Sequence, residues 1–300
     1  MAKTLKFALF GNIYQPRKSV AAQKLISLLD ERLAELYIEK EFYAFLTEKM
    51  QLEFKPAGII SDDNFQADIA ISMGGDGTFL KAASKVGNKQ IPIVGINIGR
   101  LGFLTDTTPD EIETLVNALY EEKYEVEHRT VLSVKFFNAE TNEEIPSCGY
   151  PFALNDVAIL KHDSSSMISI RTSINDNYLV TYQADGIVVA TPTGSTAYSL
   201  SVGGPILEPT SNTFEITPVA SHSLNIRPVV LRDDCTIRLQ VASRSHNFLV
   251  AIDGRSYSYP EKIELQIKKG DYKVHVIKRQ NRTFFHTLRH KMMWGADNRD

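Results

Sequence analysis

A chain of 300 residues that is 43% hydrophobic and 23% charged has the balance of a folded protein of one large or two ordinary domains, which excludes a disordered or fibrous one. Its formal net charge of −3 offers no basic face for nucleic acid. Cys148 and Cys235 stand far apart with no CxxC partner; this argues against a disulfide framework or a zinc site and for two structural thiols in a reducing cytoplasm.

The apolar run Leu5–Phe10 predicts a buried strand; it is too short for a signal h-region or a membrane span, and a charged tract follows it. Ser19 is placed to cap a helix through Leu36, with Ala22, Leu25, Leu28, Leu29 and Leu33 on one stripe. Ile69–Met73 and Ile91–Ile96 predict two more buried strands, the first followed by the glycine turn Gly74-Gly75-Asp76-Gly77 and a helix. Thr108-Pro109-Asp110-Glu111 is a helix start, with a cap, a proline in the first turn and acids behind it; that helix runs to Tyr120. Strands alternating with helices imply a parallel sheet that binds ligands outside the carboxyl ends of its strands.

From Tyr124 the period changes. Glu125–Asn138, Phe152–Lys161, Met167–Ile174, Tyr178–Tyr182, Ile187–Ala190, Thr236–Val241, Phe248–Ile252, Lys262–Ile267 and Tyr272–Ile277 all read as strands. Asn175-Asp176-Asn177, Asp253-Gly254 and Lys269-Gly270-Asp271 supply turn chemistry between them. The expectation is an α/β domain over 1–124, a β-rich domain over 125–280 and a helical tail over 281–300. Asn281–Trp294 is too short to be stable alone, so its Phe284, Phe285, Leu288, Met292 and Trp294 are expected to pack back on the first domain.

Three stretches carry chemistry. The first is the glycine turn, which is neither a Walker A loop nor GxGxxG. Bare backbone N–H groups at a helix start attract phosphate, yet Asp76 puts a negative charge there. A carboxylate beside polyphosphate is useful if it binds a cation or takes a proton; a tight strand-to-helix corner is the plainer alternative. The second is Leu154-Asn155-Asp156, where an amide and a carboxylate open a strand. They suit hydroxyl or amide ligands, or simply a turn. The third is Tyr182–Leu207, where an apolar strand ends in Thr191-Pro192-Thr193-Gly194-Ser195-Thr196-Ala197-Tyr198-Ser199. It is either a docking edge for a polar ligand or a hydroxyl-rich loop. GxSxG is absent, so Ser195 is not a nucleophile elbow.

GGDGTFL, GINIGRLGFLTD, LNDVAI, DGIVVATPTGSTAYSLSVGGPI and TPVASHSLNIRPVVL, in this order from residue 74 to 231, resemble the NAD kinase family. GGDGT alone is shared with diacylglycerol-type lipid kinases, whereas the long TPTGSTAYSLSVGGPI segment is far more specific. Bacterial members often carry Asn-Glu where this chain has Asn155-Asp156, one methylene shorter. The resemblance implies a Rossmann-like α/β domain, an all-β second domain and ATP-dependent phosphorylation of the NAD 2′-hydroxyl, with Mg²⁺ or another divalent cation on the donor phosphates. Asp76 would be the general base, and Gly74, Gly75, Gly77 and Thr78 would meet phosphates. NAD would touch Asp76, Gly77, Lys81, Phe103, Asn155, Asp156, Asp185, Thr196, Ala197, Tyr198, Ser199, Leu200, Ser201 and Ala220, with Asp253 a weaker candidate; no residue is assigned to a metal. A homodimer or homotetramer without nucleic-acid or membrane partners is expected. A lipid kinase and a non-catalytic NAD-responsive module are the alternatives.

Overall fold

The computed structural model describes residues 4–13, 19–99, 102–163, 166–280 and 283–295. Arg100 and Leu101 of the second motif, Asn281 of the tail and the capping side chain of Ser19 fall outside that description. The chain forms two compact units, Met1–His128 with Val274–Asp300, and Arg129–Lys273. The break expected at 280 thus falls at 273, inside a strand, and the tail belongs with the first unit.

The first unit contains β1 Lys6–Gly11, α1 Ser19–Glu31, β2 Glu35–Glu39, α2 Lys40–Ala44, β3 Gly58–Ile60, β4 Ile69–Gly74, α3 Asp76–Val86, β5 Ile93–Asn97 and α4 Ile112–Tyr120. Its strands are parallel, in the order β3-β2-β1-β4-β5. Chain order reverses between β1 and β4, the point where open α/β sheets leave a crevice at their carboxyl ends. Phe7, Leu9, Ile71, Met73, Val94 and Ile96 fill the core with Leu25 and Leu29 of α1 and Leu115 and Val116 of α4. The α4 start behaves as expected: the Thr108 N–H donates to Glu111 Oε2 at 2.9 Å.

One helix is shorter than predicted. α1 stops at Glu31 because Leu33 turns to φ +54°, and the Ala34 N–H bonds back to the Leu29 carbonyl at 3.0 Å. The freed segment becomes β2, followed by α2, a π-turn at Phe45–Lys49 and β3, none of which the helical stripe discloses.

The chain enters the second unit through β6 Tyr124–Asn138 and continues as β7 Glu144–Ile145, β8 Phe152–Ala153, β9 Asp156–Lys161, β10 Ile168–Ile174, β11 Asn177–Ala184, β12 Gly186–Ala190, α5 Tyr198–Ser201, β13 Thr213–Val219, β14 Val229–Arg232, β15 Ile237–Ala242, β16 Asn247–Ile252, β17 Arg255–Pro260 and β18 Ile263–Arg279. One sheet runs β11-β10-β15-β18, with β6 on β18, and the other runs β14-β13-β12-β9-β16-β17. Alternate residues of both, among them Leu132, Val157, Ile159, Ile170, Val189, Ile216, Leu239 and Leu265, share one buried cluster, so the sheets pack face to face. The expected turn at Lys269-Gly270-Asp271 is instead interior to β18. A Cβ on Gly270 would stand 2.5 Å from Val131 Cγ2, so this glycine serves close strand contact rather than a bend. The strand expected over Phe152–Lys161 is interrupted, because the N–H groups of Leu154 and Asn155 turn to the Asp253 carboxylate.

The tail helix, α6 Phe284–Met292, packs within the first unit. The Thr283 hydroxyl accepts from the His286 N–H, Leu288 is buried, and the Phe284 ring lies 6.1 Å from that of Phe103. Phe285 and Trp294 do not follow the expectation: they are 57% and 58% exposed, Phe285 because only one face of a short helix can meet the core and Trp294 because it lies past the helix end, after the left-handed Met293. Deleting 281–300 is expected to lower the melting temperature by about 4–8 °C, because burial of one leucine-sized side chain contributes about 2 kcal/mol. A truncated chain with unchanged melting would show that this docking adds no stability.

Candidate active site

The glycine turn lies at the carboxyl end of β4, where Gly74 pairs with Asn97 of β5. Asp76 is the first residue of α3, and its side chain leaves its own helix for the loop after β5. Oδ2 accepts from the Phe103 N–H at 2.9 Å. Oδ1 accepts from the Leu104 N–H at 3.1 Å, the Thr105 N–H at 3.2 Å and the Thr105 hydroxyl at 3.1 Å. Three bonds on Oδ1 against one on Oδ2 leave Oδ2 the oxygen with lone-pair capacity for a proton. Gly102 makes this approach possible, since a Cβ there would stand 1.9 Å from Asp76 Oδ1. At Gly75 and Gly77 an added Cβ would meet no heavy atom within 4 Å, so the turn's backbone borders open space.

The loop clasping Asp76 is itself anchored. Lys278, at the end of β18, bonds to Asp106 Oδ2 at 2.9 Å and to the Phe103 carbonyl at 3.3 Å, and both ionic side chains are buried. Lys81, expected among the NAD contacts, stands 2.8 Å from Glu39 and 2.9 Å from Glu41. A cavity of about 680 Å³ lies between α1, β2 and the 51–57 segment; no predicted site residue lines it.

In the second unit, Asp156 and Glu215 flank Ala190 in one row across β9, β12 and β13, on the sheet face that carries Ala158, Ala190 and Ala251. Burial pushes the Asp156 carboxyl up to about 7, aided by the charge of Asp253 and opposed by the Tyr198 backbone N–H. Asp253 accepts N–H bonds from Leu154, Asn155 and Asp156 at 2.8, 2.8 and 3.2 Å; it shapes the Asn155-Asp156 corner. Gly194 lies against that corner, where a Cβ would stand 2.0 Å from the Asn155 carbonyl oxygen.

Several hydroxyls of the 191–199 loop serve the fold. Thr191 donates to the Leu154 carbonyl at 2.6 Å, Ser195 to the Pro192 carbonyl at 2.7 Å and Ser199 to Thr217 Oγ1 at 2.9 Å, and all three are fully buried. Tyr198 and Ser201 are exposed, while Thr196, Ala197 and Leu200 are half-buried. The half-buried Asp185 pairs with Lys161 at 2.8 Å, and the exposed Ala220 adopts φ +47°, a left-handed conformation that an alanine holds only at a cost. Asn155 is buried, and its Oδ1 has no hydrogen-bond partner among the described residues.

Glu215 is 0% exposed, and neither carboxyl oxygen has a hydrogen-bond partner among the described residues. Burial pushes it up to about 7; the nearby Ser199 hydroxyl opposes this, but the geometry gives its one proton to Thr217. A carboxyl raised in the folded state adds stability that is fully present below its unfolded value, about 4.3, and lost as pH climbs through about 7. Melting temperature should therefore fall from pH 5 to pH 8. Glu215→Gln should flatten that fall, gaining up to about 3 kcal/mol at pH 8 and little at pH 5. Equal pH slopes in the two proteins would contradict the assignment.

The ATP-NAD kinase N-terminal domain family matches residues 7–124, and its C-terminal domain family matches residues 154–279. The chain belongs to the NAD kinase family. It is 56% identical over 295 residues to an NAD kinase of Bacteroides fragilis, covering 98% of this chain and 100% of that one. An NAD kinase of Porphyromonas gingivalis is 44% identical, covering 97% and 98% of the two chains. Among solved structures, yeast NADH kinase complexed with NADH aligns with a TM-score of 0.89 at 21% identity, over 99% of this chain and 89% of that one. An Archaeoglobus fulgidus NAD kinase in complex with ATP aligns with a TM-score of 0.73 at 24% identity, over 96% and 99%. At such identities these two establish the shared fold.

Sequence reading missed Thr105, Asp106 and Lys278 around Asp76, and Glu215 beside Asp156. The Thr-Asp pair sits inside the GFLTD stretch that marks the family. Lys278 and Glu215 lie in strands whose alternation gives no sign of a polar role.

Proposed function

We propose that the chain performs its family's ATP-dependent phosphorylation of NAD with Asp76 as general base, moving the γ-phosphoryl group to the 2′-hydroxyl of the adenosine ribose. The observation that supports this reading is the geometry of Asp76: a carboxylate at the carboxyl end of β4, aimed by four donors on one loop, with lone-pair capacity left on Oδ2. As the 2′ O–H bond breaks, its proton passes to Oδ2, the oxygen attacks the γ-phosphorus, and ADP leaves with the bond pair of the β–γ bridge. Gly74, Gly75, Gly77 and Thr78 would border the phosphates. Asn155, Asp156, Asp185, Thr196, Ala197, Tyr198, Ser201 and Ala220 would hold the dinucleotide, while the buried Ser199 would support that wall from beneath.

A divalent cation, most simply Mg²⁺, would supply charge neutralisation on the donor. Among the described residues no three His, Cys, Asp or Glu side chains gather to hold an ion. Mg²⁺ that keeps its waters and rides on substrate phosphates needs one or two protein oxygens at most, so ATP and water would supply most of its ligands and Asp76 Oδ2 would stay open for the proton. We extend the reading to a cytoplasmic homodimer or homotetramer. Two free cysteines support the compartment, and no helix among the described residues is long and apolar enough to cross a membrane. Incubation with NAD, ATP and Mg²⁺ should yield NADP, scored with an NADP-specific dehydrogenase; no NADP above a no-enzyme blank would refute the proposal.

A further inference from the structure

A phosphate site built around a carboxylate gains from a cationic side chain, and Lys81 is engaged by Glu39 and Glu41. The structure brings another lysine to the turn. Lys291, in the last turn of α6, holds its Nζ 3.7 Å from Asp76 Oδ2 and 4.2 Å from the centre of the Phe103 ring. Phe103 thus serves both partners, donating its N–H to the base and offering its ring face to the ammonium. The Phe284 ring, one end of the same helix, lies against Phe103, which fixes where α6 delivers its lysine. At 3.7 Å the ion pair is beyond hydrogen-bond reach, so the ammonium protons stay available to an incoming acceptor. The Lys291 side chain is 30% exposed, so it is only partly covered.

We propose that Lys291 is a catalytic residue that binds the transferring phosphoryl group, released from Asp76 when the donor triphosphate arrives. This rests on the phosphotransfer reading above. A phosphate carrying two charges attracts an ammonium more strongly than one carboxylate does. The move therefore frees Oδ2 for the 2′-hydroxyl proton and places positive charge where the transferred group gathers negative charge. No bond is made or broken at Lys291; it stays protonated throughout. Burial pulls its pKa below the ordinary lysine value, with Asp76 opposing that shift. The C-terminal helix is then part of the reacting centre as well as a prop for the first unit.

Steady-state kinetics of the full chain and its Lys291→Gln and Lys291→Arg variants test this. Lys291→Gln should lower kcat/KM for ATP by about 10²–10³, leave the KM for NAD within about threefold, and melt within a few degrees of the parent. Lys291→Arg, which keeps the charge, should recover at least a tenth of the loss. A parent that makes NADP beside an unimpaired Lys291→Gln overturns this inference and leaves the reaction standing. Loss that tracks a fall in melting temperature, without rescue by arginine, also overturns it, since Lys291 would then only hold the helix. A parent that forms no NADP overturns the reading beneath it.

Discussion

Asp76→Asn is expected to lower kcat by about 10²–10⁴, the contribution of a positioned general base, with the KM for NAD little changed. The structure makes this substitution more than a charge removal. Its retained carbonyl oxygen can keep the three donors now on Oδ1. The new NH₂ group, however, would face the Phe103 N–H, which now bonds to Oδ2 at 2.9 Å, donor against donor. Leaving that N–H unmet costs about 1–3 kcal/mol, so part of any lost activity could come from a displaced loop. Melting curves separate the two effects. A folded variant with melting a few degrees down and kcat lower by two or more orders of magnitude supports the base. Near-parental turnover would show that Asp76 is a clasp for residues 103–105 and nothing more.

How much of this was legible in the sequence depends on whether the signal is local. The glycine turn, its carboxylate and the flanking strand and helix are adjacent, so composition and period located them together. The Asn155-Asp156 corner was legible too, but its cause was not: Asp253, nearly a hundred residues away, takes the corner's N–H groups, while Asp253-Gly254 alone reads as a hairpin. β2 was hidden because Leu33 and Leu36 continue the apolar stripe of α1. A leucine entering the left-handed region at φ +54° leaves no mark in composition, as a glycine would. Gly270 misled in the opposite sense, being small for close packing rather than for a bend. Lys81 entered the site only through the family resemblance, and Lys291, far from the turn in sequence, carried no signal. The acids that engage Lys81, Glu39 at the end of β2 and Glu41 in α2, come from elements the sequence did not disclose.

The least legible partnership joins Asp106 to Lys278, 172 residues apart in sequence at 2.9 Å, with side chains 5% and 9% exposed. Lys278→Met is expected to destabilise the chain by about 3–5 kcal/mol, because it strands a buried carboxylate without its counter-ion. Adding Asp106→Leu should restore most of that loss, since replacing both members of a buried ion pair with apolar groups is often neutral. Urea midpoints of the parent, the single variant and the double variant measure both steps. The double variant also separates fold from function. Lys278 donates to the Phe103 carbonyl at 3.3 Å, and Phe103 donates to Asp76, the proposed base, so the double variant should melt like the parent yet turn over more slowly. A double variant with parental stability and parental kcat would show that the Asp76 clasp stands without its anchor. A single variant with an unchanged urea midpoint would show that Asp106 reaches water once Lys278 is gone, and the pair would then count for little in either stability or catalysis.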